Sequence, residues 1–113
     1  MQQLTYRGTV YPWHCDHMGH MNVMWYTGKF DEATWQFFGS LGLTPAWLKE
    51  AGCGMAAVEQ LTEYRRELHP GDLVSIYTEL IEVKAKAVRK ACAFPTSMAD
   101  RWRTSLGTVA AVR

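Results

Sequence analysis

The sequence predicts one α+β domain, a long helix packed on one face of an antiparallel sheet. Three observations carry that expectation. Residues 4–12 alternate between apolar and polar. From Val23 onward the apolar residues recur at three- and four-residue steps. The second half of the chain is dominated by long strand-like runs joined by a Pro-Gly turn. A length of 113 residues suits a single domain, and an apolar content of 48% suffices for one core.

In "LTYRGTVYP", Leu4, Tyr6 and Val10 fall on one face and Thr5, Arg7 and Thr9 on the other. This is the pattern of a half-buried strand, closed by Pro12. A polar loop, "HCDHMGHMN" (14–22), follows. The helix then starts at Val23, with Asn22 as its N-cap. Val23, Tyr26, Phe30, Ala33, Phe37 and Leu41 form the apolar stripe, and Lys29, Asp31, Glu32 and Gln36 mostly fall off it. "GSLG" (39–42) ends the helix, Gly39 or Gly42 taking a left-handed conformation.

A second, short helix is expected in "LTPAWLKEAG", with Thr44 as N-cap, Pro45 as first helical residue and Gly52 as stop. "GMAAVEQLTEYRREL" and "LVSIYTELIEVKAKAVR" read as two long strands, joined into a hairpin by "HPGD" (69–72). Residues 90–103 show no clean period and are interrupted by Pro95, and "TSLGTVAAVR" reads as a final strand. A small open sheet of this kind leaves an edge at which two copies can pair side by side.

The net charge of +1 gives no global field for nucleic acid or an anionic membrane surface. The three cysteines, Cys15, Cys53 and Cys92, are odd in number, widely spaced and without a CxxC pair. They suit a reducing cytoplasm rather than a disulfide framework. The N-terminal stretch lacks the apolar region of a signal peptide, and no apolar run reaches transmembrane length.

The polar loop concentrates the chemistry. Its first reading is a metal site: His14, His17 and His20 repeat every three residues, with Cys15 and Asp16 between them. Zinc accepts all of these groups, but no HExxH is present and the remaining histidine, His69, lies far along the chain. Its second reading is a plain polar turn in which Asp and Asn cap backbone groups. Its third is catalytic. The loop runs into a helix N-terminus, where unpaired N–H groups and the positive dipole end favour a developing oxyanion. A carboxylate turned back by Gly19 faces the same spot and can serve as nucleophile or as general base for water. Cys15 has no identifiable base partner and is not assigned as a nucleophile.

The order strand, "D-x-x-G-H-x-N" (Asp16, Gly19, His20, Asn22), then an aromatic helix carrying "Y-x-x-x-F-(D/E)-E-A" (Tyr26, Phe30, Asp31, Glu32, Ala33) resembles the hotdog-fold acyl-CoA thioesterases of the 4-hydroxybenzoyl-CoA thioesterase family. "YRRELHPGDLVSIYTEL" (64–80) is similar to that family's hairpin, and the resemblance runs from about Thr5 to Arg89. Within a single domain spanning 1–113, residues 90–113 depart from the family's pattern.

The resemblance implies a hotdog fold, a long helix wrapped by a curved antiparallel sheet. It implies a homodimer joined edge to edge, or a homotetramer of such dimers, with active sites at the subunit interface. It implies hydrolysis of an acyl-CoA to free acid and coenzyme A, with no resident cofactor or metal and coenzyme A entering as part of the substrate. Asp16 matches the family's catalytic aspartate and the Val23 N–H its oxyanion donor. His20 and Asn22 match motif positions that shape the loop, and Gly19 and Tyr26 match positions beside the substrate. Tyr64 and Arg65 sit where family members shape the pocket. Lys84, Lys86, Arg89 and Lys90 form a local basic cluster, with Arg101 and Arg103 beyond it, suited to the phosphates of coenzyme A or to a solvated edge. Glu59 and Glu63 are the other carboxylate candidates. The competing expectation is a hotdog binding module, or a thioesterase acting on acyl-carrier protein.

Overall fold

A computed structural model describes residues 2–62, 64, 67–84, 87–93 and 105–112. Five strands form one antiparallel sheet: β1 (Gln2–Thr9), β2 (Gly54–Leu61), β3 (Leu73–Val83), β4 (Ala87–Ala93) and β5 (Ser105–Val112), in the spatial order β1-β3-β4-β5-β2. The long helix α1 (Val23–Ser40) packs on β1, β3 and β4, and the short helix α2 (Pro45–Glu50) follows it. Both helices begin as the capping residues dictate. Asn22 Oδ1 accepts the Met24 N–H at 3.0 Å, and Thr44 Oγ1 accepts the Trp47 N–H at 3.1 Å. Both stop near left-handed glycines, Gly42 at φ 85° and Gly52 at φ 70°.

Tyr26, Phe30, Ala33, Phe37 and Phe38 carry the buried face of α1. Tyr26, Phe30 and Ala33 meet Val74, Ile76 and Cys92 of the sheet, with Val10 and Met21 closing the same cluster. Phe37 and Phe38 form a second, smaller cluster against Leu43 and Met55, which ties the far end of the helix to β2. The stripe is closed only in its middle, since Val23 and Leu41 at its ends are exposed.

The structure corrects four of the expectations. The first concerns pairing. β2 and β3 do not form a hairpin: β2 pairs with β5, and both sides of β3 are taken, by β1 and β4. The "HPGD" turn keeps its tight geometry, with Gly71 at φ 92°, but it bonds to the end of β1. Gly71 N–H donates to Val10 O, and Val10 N–H donates to Asp72 O, both at 2.8 Å. Alternation tells a strand from a helix, but carries no information about which strand it pairs with.

The second correction is that the run 73–89 is two strands rather than one. β3 ends at Val83, and β4 returns antiparallel with Val83 opposite Val88. β4 continues regularly to Ala93, so the start of the 90–103 stretch is ordinary sheet. Pro95 and the remainder of that stretch lie outside the described residues. β5 matches the expected final strand.

The third concerns β1. A register shift between Leu4 and Tyr6 places Thr5, not Leu4, in the interior. The extra residue of a bulge changes which side chains face inward. Thr5 Oγ1 donates to Ile76 O at 3.2 Å and lies 2.8 Å from Thr78 Oγ1, itself 3.2 Å from Cys92 Sγ. That chain satisfies the buried hydroxyls.

The fourth concerns two lysines. Lys29 falls off the apolar stripe and Lys90 belongs to a local basic cluster, yet each is only 4% exposed. Lys90 Nζ donates to Cys92 Sγ at 3.8 Å, whereas Lys84 is exposed beyond the end of β3.

Candidate active site

The loop 14–22 is held from both sides. Met21 N–H donates to Leu68 O at 2.7 Å, Asn22 N–H to His14 O at 2.9 Å, and Cys15 and Met21 form an isolated antiparallel bridge. Between these anchors the chain reverses tightly. Gly19 N–H donates to Asp16 O at 3.0 Å, Asp16 N–H donates to His20 O at 3.2 Å, and Gly19 sits at φ 85°. Only glycine takes that conformation without a steric penalty, so Gly19 is a turn residue.

The reversal brings Asp16 back over the start of α1. Its Oδ1 accepts the Met18 N–H and its Oδ2 accepts the Asn22 side-chain N–H, each at 2.8 Å. Both carboxylate oxygens are therefore oriented. The Asn22 hydrogen bond, then the Met18 hydrogen bond, hold the Asp16 carboxyl below its ordinary value of 3.8, with His20 and His17 adding smaller pulls in the same direction.

Asn22 performs two tasks with one side chain. Its Nδ2 donates to Asp16 while its Oδ1 caps Met24. The next amide, Trp25 N–H, is taken by Asn22 O at 3.0 Å. Val23 N–H, the first of the helix, has no acceptor among the described residues. An ionised carboxylate and a free amide at a positive helix end thus flank one stretch of exposed backbone. Such a pair can deliver a nucleophile or activated water and stabilise an oxyanion.

The other residues singled out from the sequence fall into distinct places. His20 Nε2 lies 3.7 Å from Glu67 Oε1, and His69 Nε2 lies 3.7 Å from Glu67 Oε2, so the loop is tied to the segment before the turn. Tyr26 is buried, its ring centroid 5.1 Å from that of Tyr64 in an edge-to-face pair, and burial raises its phenol above the ordinary 10.0. Lys84 follows the end of β3 away from the loop, which adjoins the Leu73 end. Eleven strand steps separate it from Leu73, on the order of 35 Å along the strand. Arg89 lies in β4 opposite Glu82 and Thr108. Glu59 is exposed on β2, and Arg65 and Glu63 lie outside the described residues. Among the described residues no three His, Cys, Asp or Glu side chains converge on a point that could hold a metal.

A cavity of about 440 Å³ lies between β1 and the first turns of α1. Tyr6, Trp13, His14, Trp25, Lys29 and Glu32 line it, together with Gly8 and Gly28. Gly8 permits the Tyr6 ring to lie over the strand, because a Cβ there would sit 2.8 Å from the ring carbons. The signal for Lys29 was its position three residues after Tyr26 and one before Phe30, close to the buried stripe.

Solved structures share the fold. A Staphylococcus aureus protein solved in complex with CoA superposes with a TM-score of 0.87 at 20% identity, covering 98% of this chain and 71% of its own. The gentisyl-coenzyme A thioesterase BH1999 gives 0.82 at 23% identity, covering 94% and 87%. A 1,4-dihydroxy-2-naphthoyl-CoA thioesterase from Synechocystis gives 0.81 at 15% identity, covering 98% and 82%. No curated protein matches by sequence. The fold is the hotdog fold, and its class here is that of a thioester hydrolase. The chain belongs to the thioesterase-like superfamily, whose family model matches residues 10–105. No helix among the described residues is long and apolar enough to cross a membrane.

Proposed function

We propose that the protein is an acyl-CoA thioesterase in which Asp16 is the nucleophile, or the general base that activates water, and the Val23 N–H is the oxyanion donor. The observation that carries this reading is the doubly hydrogen-bonded Asp16 carboxylate beside the uncapped first amide of α1. A carboxylate held below its ordinary range is ionised at neutral pH, as both roles require. Neighbours of the same fold named as gentisyl-CoA and naphthoyl-CoA thioesterases, and one solved with CoA, support the choice of acyl-CoA as substrate.

In this reading the thioester carbonyl lies with its oxygen on the Val23 N–H. Attack by water that Asp16 deprotonates forms a tetrahedral intermediate whose collapse expels the coenzyme A thiolate and leaves the free acid. Attack by Asp16 itself expels the thiolate and leaves an acyl-aspartyl anhydride, which water then hydrolyses to the free acid and the carboxylate. Asn22 and Met18 fix the carboxylate, and His20 and Gly19 shape the turn that presents it. The outer strand β2 leaves one edge of the sheet open, and pairing of two copies along it would give a homodimer, or a tetramer of such dimers.

Release of free thiol from a panel of short, long and aromatic acyl-CoAs tests the reading. The parent is expected to turn over at least one of them, and Asp16→Asn to lose about a hundredfold or more in kcat/KM. A folded parent that releases no thiol, or an Asp16→Asn variant of parental activity, would overturn it.

A further inference from the structure

Two buried side chains line the cavity between β1 and α1, and neither has the partner its chemistry calls for. Lys29 is 4% exposed. Its Nζ donates to the Tyr6 hydroxyl at 3.1 Å and lies 5.2 Å from the centroid of that ring. No carboxylate among the described residues pairs with it. A desolvated ammonium held only by a phenol is costly unless an anion completes it.

The second is His14, 9% exposed. Its Nδ1 accepts the Tyr11 N–H at 3.0 Å, which places the proton of the neutral ring on Nε2. That N–H has no acceptor among the described residues, and the ring leans on Trp25 with centroids 4.5 Å apart. A buried donor without an acceptor calls for a ligand or a water.

The space itself is kept open. Gly28 lies in the second turn of α1, inside the helix, where glycine costs roughly 1 kcal/mol relative to alanine. A Cβ built there meets nothing within 4 Å, so packing does not demand the glycine, although it borders the cavity. A volume of about 440 Å³ holds a small organic molecule. Trp13 and Trp25 supply flat apolar walls, and Glu32, an exposed carboxylate on the same lining, opposes a multiply charged occupant.

We infer that this cavity is a binding site for a small organic monocarboxylate group, with Lys29 and His14 as its donors and the tryptophans as its walls. The binding stands apart from the thioesterase reading. Only the identification of that carboxylate with the far end of an acyl group rests on it.

Tryptophan fluorescence of the full chain, titrated with benzoate and valerate, tests the site directly. Benzyl alcohol serves as the neutral counterpart and inorganic phosphate as the competing anion. Carboxylates are expected to give a saturable change at least tenfold tighter than either. Lys29→Met is expected to lose at least tenfold in affinity. Gly28→Leu, which keeps the charge and fills the space, is expected to lose binding too while retaining parental helicity by circular dichroism. No saturable change in the parent, equal binding of benzyl alcohol, tighter binding of phosphate, or unchanged binding in folded Lys29→Met or Gly28→Leu would overturn the inference.

A kinetic comparison then separates the two sources of the carboxylate. If it belongs to the acyl group, the preference for glutaryl-CoA over valeryl-CoA falls at least tenfold in Lys29→Met. If it is a free acid, that preference is unchanged while benzoate or valerate binding is lost. Should no thioester be hydrolysed, the thioesterase reading fails and the fluorescence result still decides the site.

Discussion

Asn22 couples the two halves of the candidate site: its amide nitrogen donates to Asp16 Oδ2 at 2.8 Å while its amide oxygen accepts the Met24 N–H at 3.0 Å. One side chain therefore fixes both the carboxylate and the helix end that faces it. Neither group can shift without disturbing the other.

This coupling predicts the behaviour of Asn22→Ala. In the proposed mechanism Asp16 acts when ionised, and its carboxyl lies below 3.8, so the acid limb of kcat/KM should fall below pH 3.8 in the parent. Removing the largest cause of that lowering should move the limb up toward 3.8. The stability contributed by Asp16 is present above 3.8 and lost as pH falls through its folded value, so the variant should show less of that loss. Loss of the N-cap should cost about 1 kcal/mol at neutral pH. A pH–rate profile and a urea titration check both; an unmoved acid limb would separate Asn22 from Asp16.

Gly19→Ala tests the turn. At φ 85° a Cβ costs about 1–2 kcal/mol in backbone strain, although no atom crowds it. The strain is relieved by opening the reversal that presents Asp16. Activity should fall at least tenfold, with a drop in kcat rather than a rise in KM. Thiol release under saturating substrate measures it.

His14 makes stability depend on pH. Burial, then the nearby Lys29 charge, lowers its imidazole below 6.5, with Glu32 pulling the other way. The unfolded chain thus takes up a proton first as pH falls. Stability from this group is complete above pH 6.5 and declines as pH drops through the folded value. His14→Gln should show a smaller decline in urea midpoint between pH 7.5 and 5 than the parent. Equal declines would remove His14 as a cause.

The outer edge of β2 carries exposed Val58 and Leu61. If two copies pair along it, Val58→Lys places a charge in the joint and should shift the protein toward monomer in sedimentation velocity. A parent that sediments as a monomer at micromolar concentration would rule out the pairing.

The N-caps at Asn22 and Thr44, the span of α1 and the aspartate loop were legible in the sequence because local chemistry fixes them. A capping side chain bonds an amide two or three residues away, and helical periodicity repeats within a few turns. The sequence alone therefore determined that a carboxylate would lie just before a long aromatic helix. Strand partnership was not legible. β2 pairs with β5 across more than forty residues, and alternation along either strand is the same whatever lies beside it. The bulge that turned Thr5 inward and the burial of Lys29 were also settled by tertiary packing. Lys29 and His14 are ordinary polar residues in the chain. Only the closure of β1 over α1 takes them out of water together, and that desolvation is what makes the cavity between them chemically selective.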